Sequence, residues 1–159
     1  MNVIHACQNL WVGCNEIARD MEWRKEHGIT AILSVLSDRC VVDDNLITRL
    51  RLSPPDGPGF QKWHIDMAVR FLEQMHLVQS RHTLVHCWGG SSRSVAMATT
   101  YLYLNQGAAI DPIVPFGDME HAACKLREIR GVNYTPPHPA FWELCKEYAQ
   151  NRLDHAEVG

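Results

Sequence analysis

A cysteine and an arginine separated by five residues, two of them glycine, occur in His86-Cys87-Trp88-Gly89-Gly90-Ser91-Ser92-Arg93-Ser94. The spacing alone says little, because roughly 0.4 such pairs arise by chance in a chain of this composition. Cys124-Lys125-Leu126-Arg127-Glu128-Ile129-Arg130 has the same spacing. There Ala123 precedes the cysteine, Arg127 stands at the glycine position and the pattern is helical, so Cys124 reads as a packed core thiol. Requiring a histidine before the cysteine, a glycine three after it and a hydroxyl residue after the arginine lowers the chance expectation to roughly 10⁻⁴. Only the segment around Cys87 meets all three conditions.

The chemistry these residues can perform is nucleophilic attack on an oxyanion. A thiolate is the reactive form of cysteine, and a helix start with a neighbouring cation favours it. Trp88, Gly89, Gly90, Ser91, Ser92 and Arg93 can turn their backbone N–H groups inward as an anion nest, and glycine permits the conformations this needs. The planar fork of Arg93 can hold two oxygens of a tetrahedral phosphate.

The surrounding elements must deliver a strand, a tight loop and a helix. Thr83-Leu84-Val85-His86 reads as the strand, and Ser94 to Asn105, apolar almost all round, as a central helix stopped by Gly107. Upstream, Leu10-Trp11-Val12-Gly13 reads as a short first strand. Asn15 can cap a helix through about Glu26 that Gly28 ends. Ala31 to Leu36 is a nearly all-apolar run, which suits a strand covered on both faces. Leu46 to Leu52 alternates as an outer strand, with Leu46, Leu50 and Leu52 on one side. Ser53-Pro54-Pro55-Asp56-Gly57-Pro58-Gly59 is a loop by composition. From Phe60 to Val78 the residues Phe60, Met67, Ala68, Phe71, Leu72, Met75 and Val78 suggest one helical stripe. The Pro-containing stretch 111–117 precedes a helix to about Arg130, and another helix starts near Pro139 and reaches about Arg152. The expectation is one α/β domain spanning residues 1–159.

The 159 residues carry a formal charge of −3, with 46% hydrophobic and 21% charged residues, an ordinary globular balance. No apolar run approaches a membrane span and the start does not resemble a signal peptide, so a cytoplasmic location is expected. The six cysteines form no C-x-x-C pair, which points to reduced thiols. Nothing resembles the Lys/Arg runs of a nucleic-acid or membrane binder, so neither partner is expected. Five tryptophans suggest a well-packed core, and the scattered histidines do not read as metal ligands.

The pattern H-C-x-x-G-x-x-R-S resembles that of the small (atypical) dual-specificity phosphatases, in the cysteine-dependent protein tyrosine phosphatase superfamily. Leu10 to Gly13, Gly28 to Leu33 and Thr83 to Cys87 resemble further parts of the same family. The resemblance implies a protein-tyrosine-phosphatase-like fold, a mixed, mainly parallel sheet flanked by helices. It also implies a loop aspartate about thirty residues before the cysteine, followed by an aromatic anchor, and Asp56-Gly57-Pro58-Gly59-Phe60 fits. Asp43, Asp44 and Asp66 are the competing acids.

On that resemblance Cys87 attacks phosphorus to give a cysteinyl-phosphate, Arg93 and residues 88–93 hold the oxygens, and Asp56 protonates the leaving group. Ser94 assists release of the thiolate and His86 orients the loop. No metal or other cofactor is implied. The implied substrate is a phosphorylated protein or peptide, phosphotyrosine first, with phosphoserine and phosphothreonine left open. The uncharged loop argues against inositol phospholipids, whereas RNA 5'-phosphates and a catalytically silent phosphate-binding or scaffolding role stay open as alternatives. Trp88 can pack on the surface or wall the substrate pocket.

Overall fold

The structure, a computed structural model, describes residues 3–37, 42, 46–90, 92–107, 117–130 and 137–156. Its centre is a five-stranded sheet of β1 (Val3–Cys7), β2 (Leu10–Gly13), β3 (Ala31–Val35), β4 (Thr48–Leu52) and β5 (Thr83–His86) in the order β1-β2-β5-β3-β4. The β1–β2 pair is antiparallel and the other three pairings are parallel, so the sheet is mixed and mainly parallel.

Alternation along the strands divides the core in two. Leu33 and Val85 face a large cluster built with α3 (Lys62–Leu72), α4 (Arg93–Leu104), α5 (Met119–Arg130) and α6 (Pro139–Ala156). Their neighbours Ile32 and Leu84 face a smaller cluster with Ile17 of α1 (Asn15–Arg19) and the partly buried Trp23 of α2 (Met21–Glu26). Helices on both faces explain why all five residues of β3 are buried. In α4 every residue from Arg93 to Leu102 is buried, as expected of a central helix.

Several elements depart from the sequence reading. A strand, β1, precedes the expected first one, reversing through Asn9 at φ 66°. The helix expected over 15–26 is two short helices. Asp20 breaks them in an extended conformation and accepts a hydrogen bond from Trp23 N–H at 3.0 Å, so the cap lies mid-segment. Asn15 is the first helical residue and Cys14 the cap position. Gly28 does close α2, at φ 63°. Leu46 lies before β4 and is 85% exposed.

Helix α3 starts at Lys62 and continues as a π-helical turn, Glu73–Val78. Its buried stripe is Ile65, Ala68, Val69 and Leu72, and the extra residue per turn beyond Leu72 rotates Val78 out to solvent. Met67 is also exposed, and Phe60 is buried from the preceding loop. Helix α4 stops at Asn105 rather than Gly107. Cys124 is only half-buried on α5. Trp63 and Trp88 are exposed, and of the five tryptophans only Trp142 is buried. The stretch 111–116 lies outside the described residues.

Candidate active site

Parallel strands end together at one edge of the sheet, and the loop leaves from there. The β2–β5 register pairs Gly13 with His86. One further bond, Cys87 N–H to Gly13 O at 3.4 Å, extends it, and Asn15 N–H donates to Trp88 O at 3.0 Å. The loop therefore rests on the start of α1. Gly90 has φ 77°, and a Cβ there would lie 2.9–3.0 Å from backbone atoms of Gly13 and Cys14. Both its conformation and its close approach require glycine.

Cys87, which follows β5, is 2% exposed. Its Sγ lies 3.1 Å from Ser94 Oγ in the first turn of α4. Arg93, the first residue of α4, is buried, and its Nη1 donates to Pro54 O at 3.1 Å. The loop 53–59 is thus tied to the start of α4 through a backbone carbonyl.

His86 is fully buried and its hydrogen bonds fix its tautomer. Nδ1 lies 3.2 Å from Cys87 O, a carbonyl that can only accept, so Nδ1 carries the proton. Nε2 then accepts from the Ser34 hydroxyl at 2.6 Å, and Ser34 Oγ in turn accepts from Arg49 Nε at 2.9 Å. Burial pushes the imidazole down to about 4. The Cys87 carbonyl opposes that, and the Arg49 charge adds to it.

Asp56 is exposed at the tip of its loop, where Oδ1 accepts from Ser92 Oγ at 3.0 Å. Phe60 anchors the loop, with its ring 4.8 Å from that of Phe141. Asp66 is elsewhere: it accepts from Tyr148 Oη at 2.7 Å and from Arg70 Nε at 2.9 and 3.0 Å. Burial alone would raise its pKa, but those hydrogen bonds outweigh it and hold the carboxyl below its usual range. Asp43, Asp44 and Ser91 lie outside the described residues.

The fold has structural counterparts. Human DUSP28 has a TM-score of 0.78 at 21% identity, covering 96% of this chain and 96% of its own. The human tyrosine phosphatase-like serine/threonine/tyrosine-interacting protein scores 0.78 at 21% identity, over 96% of this chain and 98% of its own. DUSP15 scores 0.74 at 23% identity, over 97% and 96%. No protein-family model matches the sequence, and no curated protein does. The chain has the small dual-specificity phosphatase fold.

Within this dual-specificity phosphatase fold, the structure gathers Cys87, Arg93, Ser94, His86, Asp56 and Ser92 at one end of the sheet. Trp88 is 54% exposed and, with Gly89, walls an open groove of about 870 Å³ against Asn15, Glu16 and Arg19. Cys87 does not line that groove, which lies beside the turn at Trp88 and Gly89. Among the described residues no group of three or more His, Cys, Asp or Glu side chains could hold a metal ion. None of their helices is long and apolar enough to cross a membrane, and no disulfide joins their cysteines.

Ser34, Arg49 and His138 were not singled out from the sequence. Ser34 left a trace as the one polar residue inside Ala31-Ile32-Leu33-Ser34-Val35-Leu36, and His138 as the one residue between Pro137 and Pro139.

Proposed function

We propose that the protein is a cysteine-dependent phosphatase acting on phosphorylated proteins, phosphotyrosine above all, through a cysteinyl-phosphate intermediate. The observation that carries this is the 3.1 Å contact between Cys87 Sγ and Ser94 Oγ, in a segment that also holds the buried Arg93 and a turn through Gly90 at φ 77°. In the first step the Cys87 thiolate forms the S–P bond, the P–O bond to the leaving group breaks, and Asp56 gives that oxygen its proton. Arg93 and the inward amides hold the remaining phosphoryl oxygens.

In the second step ionised Asp56 takes a proton from water, which attacks phosphorus and releases inorganic phosphate. The Ser94 hydroxyl donates to the departing sulfur. The burial of Cys87 excludes bulk water from the thiolate.

The fold by itself does not establish turnover, since one counterpart is a phosphatase-like interacting protein. Hydrolysis of an aryl phosphate, with and without chelator, tests it. Turnover is expected in both conditions, and Cys87→Ser should abolish it while retaining phosphotyrosine-peptide binding. Wild-type turnover by Cys87→Ser refutes the mechanism.

A further inference from the structure

Ser92 occupies the N-cap of α4, a position where a serine hydroxyl ordinarily accepts from an N–H of its own helix. Here it makes no such bond. Its Oγ instead accepts from His138 N–H at 3.1 Å and donates to Asp56 Oδ1 at 3.0 Å. The His138 donor is itself constrained. Between Pro137 and Pro139 it is the only residue with a backbone N–H. Its carbonyl accepts from Phe141 and Trp142 N–H, and its Nδ1 accepts from Ala140 N–H at 3.1 Å. His138 is thereby clamped to the first turn of α6, and its ring stacks on Phe141, which packs on the loop anchor Phe60.

A serine hydroxyl has one proton and accepts through its lone pairs. With the His138 N–H on the accepting side, the proton is left to point at Asp56. We propose that Ser92 is a positioning residue for the proton donor, holding Oδ1 of Asp56 so that the transferred proton resides on Oδ2. This rests on the assignment of Asp56 as the acid.

The consequence is stereochemical. An oxygen already accepting from a hydroxyl is the poorer place for the acidic proton, so Oδ2 carries it to the leaving group and later receives one from water. Ser92 keeps the same bond through both steps. Together with the bond from Arg93 Nη1 to Pro54 O, it couples the loop that holds phosphate to the loop that supplies the proton.

The experiment measures kcat/KM over aryl phosphates of increasing phenol pKa for wild type, Ser92→Ala, Ser92→Thr, Asp56→Asn and the Ser92→Ala/Asp56→Asn double variant. Thermal unfolding of each variant confirms that it is folded. Asp56→Asn should lose on the order of 10²–10⁴ at the least activated end of the series, as expected for loss of a general acid. Ser92→Ala should show a loss that grows along the series to about 10-fold, the scale of one hydrogen bond to a charged group. Ser92→Thr, which keeps the hydroxyl, should restore the wild-type slope, and Ser92→Ala should add nothing in the Asp56→Asn background. A loss uniform along the series, or additive with Asp56→Asn, overturns the proposal. A flat series for Asp56→Asn itself overturns the acid assignment first, and the role of Ser92 with it.

Discussion

Lowering the pH perturbs a buried group next to Cys87 whose titration can be followed directly. His86 has no exposed surface, and burial pushes its pKa to about 4 against an ordinary 6.5, helped by Arg49 and opposed by the bond to Cys87 O. The folded chain therefore resists a proton that the unfolded chain accepts. Stability linked to His86 is complete above the unfolded value of 6.5 and is lost as pH falls toward 4. At about 1.4 kcal/mol per pH unit, the interval corresponds to about 3 kcal/mol. That is a large share of the roughly 5–15 kcal/mol that holds an ordinary domain together.

His76 is shifted the same way, largely by burial, and adds to the total, so the comparison must be with a variant at His86 alone. Urea unfolding of wild type and His86→Gln between about pH 7 and pH 4 should show the steeper loss in wild type. The ¹⁵N shifts of the His86 ring should report a neutral imidazole protonated at Nδ1 from about pH 7 down to about pH 5, with titration only near pH 4. A ring that titrates near its ordinary value, or carries its proton on Nε2, refutes the relay from Arg49 through Ser34 to His86.

Gly90→Ala should destabilise the protein by about 1–3 kcal/mol from backbone strain alone and sharply lower aryl phosphate hydrolysis, because its Cβ would meet backbone rather than a movable side chain. An unchanged melting temperature would contradict the close approach to Gly13. Asp66→Asn should cost about 1 kcal/mol through weakened bonds from Tyr148 and Arg70 and leave the leaving-group series intact. A leaving-group-dependent loss in that variant would transfer the acid role away from Asp56.

Readable in the sequence were the features decided by neighbours along the chain. A strand, a glycine-containing loop and a helix follow one another around Cys87, so Cys87, Gly90 and Arg93 share one short segment. Its loop composition likewise located Asp56, and the apolar run in β3 announced a strand covered on both faces. Helix limits were less legible. Apolar spacing does not reveal that Asp20 turns its carboxylate back to cap a second helix, or that a π-helical turn rotates Val78 outward.

Tertiary structure alone decided which distant groups complete the site. Ser34, Arg49 and His86 stand on three adjacent strands and meet because the sheet order is β5-β3-β4, which no local pattern encodes. Asp56 and His138 come from two separate segments and converge on the Ser92 hydroxyl. Residue type fixes what each side chain can donate or accept. Which partner it finds is set by the packing of the whole chain, because a hydrogen bond forms only within about 3 Å and sequence separation carries no such distance.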